Sequence, residues 1–574
     1  MADADGGSGR IVIVGGVAGG ASAAARARRM DEAVEIIMLE KDEHVSFANC
    51  GLPYYIGGEI EEREKLLVAK PARFRDWLNV EVRTRSEATA IDRDAKSITV
   101  MDHGRGASYE LGYDKLILAP GAAPIVPPIE GVDSSNVFTL RNVADTDAIK
   151  GYIDGNKPGR VAVIGAGYIG LEMVEMLRHR GLEVAVVELL EQVMPPLDAE
   201  MASMIEEELS AHGVELHLGN GLDGFLRAEG GRVGGVVLKD GTEVGADFVI
   251  MGIGVRPNTA LAKEAGLSIG GSGGIVVNRF MQTDDPDIYA VGDAVEYEHG
   301  VLGERMRVAL AGPANRAGRI AGEHAASGSA PAMSPVLGTA VVRVFSKTAA
   351  MTGLSEKTAS KHGRPARAVW VPAANHAGYY PGAEPMMVKL IFDPSEGAGR
   401  GKVLGAQIVG GAGVDKRVDV LATAIGFGAT VDDLTGLDLA YAPPYGSAKD
   451  PVHLAAFVAQ NWLRGLDRYE RPESTSEGPS GARRGDGAGD DDGVQWLDVR
   501  TAAEWDSGHL EGAIRVPLSQ LRDRLSELDK ARPVVTICKG GQRSYYASRV
   551  LRLNGFENVA TLSGGMTMQR HAGG

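Results

Sequence analysis

The feature that most constrains this chain is a strand, glycine turn and helix pattern that occurs twice. Arg10-Ile11-Val12-Ile13-Val14 runs straight into Gly15-Gly16-Val17-Ala18-Gly19-Gly20 and an alanine-rich helix ending near Arg28-Arg29-Met30; a second strand, Val34 to Leu39, then ends on Glu40. Val161 to Ile164 runs into Gly165-Ala166-Gly167-Tyr168-Ile169-Gly170, a helix carrying Glu172, and a strand from Val184 to Val187 that ends on Glu188. This is a Rossmann opening: glycines let the backbone approach a pyrophosphate, the helix N-terminus binds it, and the acid takes the ribose hydroxyls. Val17 occupies the middle glycine position of the first copy, which weakens that copy alone; the second copy is complete. Two dinucleotide sites mean two nucleotides, most economically FAD and a nicotinamide. Glu188 would bond a free ribose 2′-hydroxyl and repel a 2′-phosphate, so NADH is favoured, with NADPH admitted if a basic residue elsewhere in the loop overrides it.

At 574 residues the chain is too long for one core, so three or four domains are expected. A net charge of −16 argues against nucleic acid as a partner and requires local cations wherever an anionic cofactor binds. The two cysteines, Cys50 and Cys538, make no disulfide framework, and no Cys/His spacing suggests zinc or another metal. No run of 18 apolar residues appears, and the first nine residues lack a charged lead into a signal-peptide core, so a soluble, cytoplasmic protein with no membrane partner is expected.

Cys50 lies in Ser46-Phe47-Ala48-Asn49-Cys50-Gly51-Leu52-Pro53-Tyr54, ten residues beyond Glu40. Asn-Cys-Gly before an apolar segment reads as a thiol at a helix start, where the dipole favours thiolate; a buried structural cysteine is the alternative. Two further stretches, Tyr113 to Gly121 and Thr283 to Ala294, complete a pattern that resembles the two-dinucleotide-domain flavoprotein disulfide reductases over about residues 10 to 465. The resemblance implies that Asp293 contacts the flavin's ribityl chain. It places further dinucleotide contacts on Gly15, Gly16, Val17, Ala18, Gly19, Gly20, Glu40, Lys41, Asn49, Ala119, Gly121, Gly292 and Ala294, and on Gly165, Gly167, Tyr168, Ile169, Gly170, Glu172, Glu188 and Gly254.

That family usually sets two cysteines beside the flavin, and here the neighbours of Cys50 supply no partner. A single thiol can cycle as a mixed disulfide, a persulfide or a sulfenic acid. NADH peroxidases and oxidases carry a histidine where this chain has Ala18, whereas the Cys50 stretch looks like the coenzyme A disulfide reductases. In those enzymes the third domain makes a homodimer, and a tyrosine from each of two stretches reaches the partner's cysteine. The corresponding stretches are Asn375 to Gly382 and Tyr441 to Pro451, so the roles fall on Tyr379 and Tyr441, with Tyr445 in reserve; packing at an interface is the alternative. Substrate contacts are assigned to Ser46 and Phe47, and the phosphates of coenzyme A to Arg26, Arg28, Arg29 and Lys70, although each of these cations taken singly reads more readily as a solvated surface charge.

Composition changes sharply from Arg471 to Gly493, and residues 467–492 read as a flexible tether whose root-mean-square span is roughly 25 Å for about 20 residues. The stretch from Val494 onward then places Cys538-Lys539-Gly540-Gly541-Gln542-Arg543-Ser544 between a strand and a helix, a loop of inward-pointing amides that holds an anion. It resembles a rhodanese domain, in which the loop cysteine carries a persulfide and Arg543 lies against the substrate. The Cys-to-Arg spacing is one residue shorter than in cysteine phosphatases, which favours sulfur over phosphate.

The expected fold class is α/β: an FAD domain (10–150 and 255–330), an NAD domain (151–254), an α+β dimerisation domain (331–466), the tether, and a rhodanese domain (493–574). The expected activity is NADH reduction, through FAD and Cys50, of coenzyme A persulfide, polysulfide or coenzyme A disulfide. An NADH oxidase or peroxidase, and a flavin-based redox sensor, are the alternatives.

Overall fold

The computed structural model describes residues 9–472 and 493–571. The chain divides into two compact units, Met1–Glu191 with Gly213–Gly338, and Gln192–His212 with Thr339–Gly574.

The first unit holds two parallel five-stranded sheets of the same design. In one the order is Ile288–Ala290, Lys115–Leu118, Arg10–Val14, Glu35–Leu39 and Glu81–Arg83, with Val12 opposite both Ile37 and Leu116. The other runs Glu215–His217, Glu183–Val187, Arg160–Ile164, Phe248–Met251 and Val137–Thr139. Each glycine turn thus leaves the C-terminal end of a central strand, where parallel sheets place ligands. The central strands are apolar without alternation because helices cover both faces.

The alanine-rich composition of helix Ala18–Met30 has a packing cause. A Cβ on Gly318 would lie 2.1 Å from the Gly19 carbonyl oxygen, and one on Gly322 2.2 Å from that of Ala23. The helix therefore meets Ala311–Ser327 backbone to backbone, and larger residues on that face would force the pair apart.

In the second unit an antiparallel sheet runs Ala340–Val344, Lys347–Gly353, Val403–Gly410, Pro385–Phe392 and Arg367–Ala374. Helix Ala199–Ala211, which in sequence falls inside the expected 151–254 domain, belongs to this unit. Its N-cap Asp198 and first-turn Glu200 bond Lys389 Nζ in the sheet at 2.7 and 2.5 Å. The expected span of that domain also needs an earlier start, because Val137–Thr139 pairs into its sheet.

A parallel sheet closes the chain, in the order Tyr469–Glu470, Val559–Leu562, Val534–Ile537, Gln495–Asp498 and Ile514–Arg515. The expected tether is corrected here over its described part. Residues 467–472 are built into this last domain: Tyr469 pairs with Thr561, and the fully buried Asp467 accepts hydrogen bonds from Ser548 Oγ (2.6 Å) and Thr561 Oγ1 (2.7 Å). The remainder, 473–492, lies outside the described residues. Among the described residues no helix is long and apolar enough to cross a membrane.

Candidate functional site

The two glycine turns are the same device. Gly15 (φ +96°) and Gly165 (φ +99°) both take a backbone conformation that L side chains rarely adopt, and each donates its N–H to the last residue of the neighbouring strand, Leu39 and Val187. A Cβ on Gly20 would lie 1.8 Å from the Gly15 carbonyl oxygen, and one on Gly170 2.0 Å from that of Gly165. The middle position is different. Val17 (φ −96°) and Gly167 (φ −81°) are both in negative φ, so the turn does not demand glycine there.

The acids close each turn identically. Glu40 accepts from the amides of Gly16 (2.9 Å) and Asp42 (3.1 Å), and Glu188 from those of Ala166 (2.8 Å) and Leu190 (2.9 Å). A carboxylate has about four acceptor sites, which leaves capacity for ribose hydroxyls. Burial pushes the Glu40 carboxyl above its ordinary range, and the two amides oppose that shift.

A cavity of about 710 Å³ opens from the first turn. Its lining includes Gly15, Val17, Ala18, Gly19, Glu40, Lys41, Asn49, Ala119, Gly121, Gly292 and Asp293, which come from widely separated stretches of sequence. Gly16 and Ala294 sit directly behind that lining, one bonded to Glu40 and the other fully buried. Asn49 Oδ1 is buried without a partner, an orphaned acceptor beside the cavity. A long cleft with a glycine turn at one end, a ribose-binding acid and an unsatisfied amide fits FAD.

Cys50 sits at the join of the 3-10 turn Asn49–Gly51 and helix Leu52–Gly57, whose first turn contains Pro53. Upstream, Ser46 (φ +48°) donates to Gly16 O, and Phe47 is buried in a bridge to Leu67, so the stretch is clamped to the first turn. The residue is solvent-accessible. Crowding around the sulfur raises the thiol pKa, and the charges of Glu172 and Asp293 raise it further. The expectation of a dipole-lowered thiol is therefore corrected: burial first, and the two acids after it, favour the protonated form. Burial likewise pushes Asp293 up, against the opposing charge of Arg141. Near the second turn, Gly254 has φ +116°, Ile169 is partly exposed, and burial raises the Tyr168 phenol to about 12.

In the second unit, Tyr379 and Tyr441, 62 residues apart, meet hydroxyl to hydroxyl at 3.0 Å on the surface, and Tyr445 is exposed in the same loop as Tyr441. Buried Arg417 holds both loops: its guanidinium donates to Asn375 O (2.7 Å) and to Asp450 Oδ2 (2.8 Å), the cap of helix Pro451–Leu463. His453 bonds Leu437 O instead of pairing with a carboxylate.

Cys538 is buried at the end of strand Val534–Ile537, and the Gly541 amide donates to its Sγ at 3.1 Å. The carbonyls of Cys538 and Lys539 accept from the amides of Met566 and Thr567, both at 2.9 Å, which turns the loop's own N–H groups inward. Arg543 forms a two-point bond to Glu504 at 2.6 and 2.7 Å and also interacts with the Cys538 thiol, so it lies at the mouth of the cysteine loop. Ser544 Oγ, fully buried in the first turn of the following helix, has no partner.

Comparison with known proteins fits this geometry. The pyridine nucleotide-disulphide oxidoreductase family matches residues 9–318, its dimerisation domain 339–451, and the rhodanese-like domain 486–568. The chain belongs to the pyridine nucleotide-disulphide oxidoreductases. The coenzyme A disulfide reductase of Staphylococcus aureus (strain JH9) is 36% identical over 451 residues, covering 79% of this chain and 100% of that protein. Two solved structures cover nearly all of it. Reduced Bacillus anthracis CoADR-RHD is 45% identical with a TM-score of 0.93, over 99% of this chain and 98% of that one. The NAD-dependent persulfide reductase from A. fulgidus is 37% identical with a TM-score of 0.88, over 97% and 99%.

Among the cations assigned to the substrate of this oxidoreductase, Arg28 is corrected to a structural role: it is buried and donates to the carbonyls of Leu78, Asp31, Glu32 and Asn79. Arg26 is paired with Glu323 at 2.6 Å, Lys70 with Glu64 at 2.5 Å, and Arg29 is exposed. Sequence reasoning missed Arg141, which lines the cavity within 3.7 Å of Asp293. Its signal was the Arg141-Asn142 pair just before a helix with an Asn142/Asp145 capping box.

Proposed function

We propose that this oxidoreductase uses NADH and FAD to reduce a sulfur–sulfur bond engaged by Cys50, with coenzyme A persulfide or polysulfide as the preferred substrate and coenzyme A disulfide as a second one, and that its rhodanese domain handles sulfane sulfur. The observation that carries this is the solitary thiol: Cys50 is free, accessible and clamped beside the cavity that fits FAD, while the second cysteine lies in the other unit, within an amide-lined loop. The names of the relatives point the same way, to coenzyme A disulfide and to persulfide.

The Cys50 thiolate attacks one sulfur of the substrate, forming a new S–S bond and expelling the other sulfur as a thiolate or hydrosulfide. FAD, when bound, supplies the two electrons taken from NADH that return Cys50 to its thiol state. Tyr379 and Tyr441, already hydrogen-bonded to each other, are the groups to orient or protonate the leaving sulfur, acting on Cys50 of the partner subunit in a homodimer. Glu188 selects NADH through the ribose 2′-hydroxyl; the residues that follow it, Leu189, Leu190 and Glu191, offer no cation to a 2′-phosphate.

Turnover of the purified protein with NADH against coenzyme A persulfide, polysulfide, coenzyme A disulfide, peroxide and oxygen tests this reading. The highest kcat/KM is expected with the persulfide, and NADH should exceed NADPH by about 10-fold for each ~1.4 kcal/mol of discrimination. Fastest turnover with oxygen or peroxide would establish the oxidase reading, which Ala18 disfavours.

A further inference from the structure

Ser544 lies in the first turn of helix Gln542–Leu553, directly after the Cys538 loop, and is fully buried. Its Oγ is the one buried hydroxyl among the described residues with no hydrogen-bond partner. A polar group in that state carries its whole desolvation cost, and native folds keep few of them. Neighbouring hydroxyls are used: Ser548 Oγ donates to Asp467 Oδ1 at 2.6 Å, Thr561 Oγ1 to Asp467 Oδ2 at 2.7 Å, and Thr567 Oγ1 to Lys539 O at 2.8 Å.

The surrounding elements put Ser544 on the side of the helix that meets the cysteine. Side chains alternate along strand Val534–Ile537, so Thr536 and Cys538, which follows the strand's end, share a face. That face looks at the first turn of the helix, because Thr536 Oγ1 donates to Ser544 O at 3.0 Å. Ala547 is three residues after Ser544, on the same side of the helix, and packs in the apolar cluster that contains Cys538. Around the sulfur the other donors have places already. The Gly541 amide bonds Cys538 Sγ at 3.1 Å, and Arg543 holds Glu504 by two bonds. A persulfide sets a second sulfur about 2 Å beyond Sγ, and this outer atom carries the negative charge and calls for a donor of its own.

We propose that Ser544 is a catalytic residue of the rhodanese domain: its hydroxyl donates to the outer sulfur of a persulfide on Cys538 and so favours the loaded cysteine over the unloaded one. The inference rests on the reading that Cys538 carries sulfane sulfur. With thiosulfate as donor, the Cys538 thiolate attacks the sulfane sulfur and forms a new S–S bond. The bond from that sulfur to the sulfonate sulfur breaks, and sulfite leaves with its electron pair. The charge that began on Sγ ends on the outer sulfur. The hydroxyl is unbonded before the transfer and bonded after it, so its full hydrogen bond acts on the difference between the two states.

The test uses the full-length protein carrying Cys50→Ser, so that one thiol remains, equilibrated with thiosulfate and sulfite at fixed ratios. Intact mass gives the persulfidated fraction. Ser544→Ala should need about a fivefold higher ratio of thiosulfate to sulfite for half loading, the effect of one lost hydrogen bond of ~1 kcal/mol. Unloaded Ser544→Ala should unfold at a Tm no lower than its parent, because the hydroxyl it loses bonds nothing in that state. A structural role gives the opposite pattern, a lowered Tm with the half-loading ratio in place, and that result overturns the proposal. An unchanged ratio with an unchanged Tm overturns it too, while leaving Cys538 a sulfur carrier. A parent protein that takes up no sulfur at any ratio would instead end the reading of Cys538 as a carrier, and this inference with it.

Discussion

A methyl group is enough to break the first dinucleotide turn, but only at the right glycine. Gly20→Ala would drive a Cβ to 1.8 Å from backbone that is itself held by the sheet, so FAD should be lost from the purified protein. Val17→Gly should leave FAD retention within about twofold, because φ at that position is already negative and the site needs no glycine. Flavin absorbance per protein checks both. The glycine spacing and the acids Glu40 and Glu188 were legible because each acts on a strand or turn a few tens of residues away. The burial of Arg28 was not: two of its four carbonyl partners, Leu78 and Asn79, sit on a chain segment whose approach only the fold decides. The Arg543 pair also carries a pH signature. Hydrogen bonding from Arg543 first, against some burial, holds the Glu504 carboxyl at about 2. A depressed folded value means that the stabilisation is complete above the ordinary carboxylate range and fades as pH falls toward 2. The difference in Tm between the native protein and Glu504→Gln should therefore be largest near neutrality and shrink over that window.

Single elements of the second unit are held by buried charge. Lys389 lies fully buried in strand Pro385–Phe392, with Asp198, Glu200 and Glu356 around its Nζ at 2.7, 2.5 and 2.8 Å. The three carboxylates, which could otherwise hold a cation, have their charge there; the attractions raise the lysine's pKa against the opposing effect of burial. Arg471, at the edge of the described chain, bonds Glu356, and Trp370 Nε1 donates to Glu200. Removing the ammonium while keeping the volume leaves buried acids unpaired, so Lys389→Met should cost about 3–5 kcal/mol in denaturant unfolding. The lysine was visible in the sequence as a charge inside Met-Met-Val-Lys-Leu-Ile-Phe. Its partners were not, since Asp198 is 191 residues away and on a helix that sequence assigns to another domain.

At the scale of the whole molecule, the position of the rhodanese domain decides how sulfur could travel from Cys538. A tether would let the domain wander; the structure instead packs its cysteine loop onto the dimerisation sheet, where a Cβ on Gly540 would lie 2.8 Å from Pro372 Cγ and Trp370 donates its backbone N–H to Ser563 Oγ at 3.0 Å. Strand Arg367–Ala374, which makes these contacts, leads directly into the Tyr379 loop. Residues 473–492, whose composition reads as a tether, lie outside the described residues, and composition does not say where the chain at their two ends is anchored. Both ends sit in one sheet, at Tyr469–Glu470 and Gln495–Asp498, separated by three inter-strand spacings or about 14 Å. A protease site placed within 473–492 of the full-length protein separates the two cases. After cleavage the C-terminal fragment should co-elute with the body in gel filtration, held by the Tyr469–Thr561 pairing and by Asp467, with transfer of sulfane sulfur to coenzyme A preserved. Elution as a free fragment of about 80 residues would show that the segment is a tether after all.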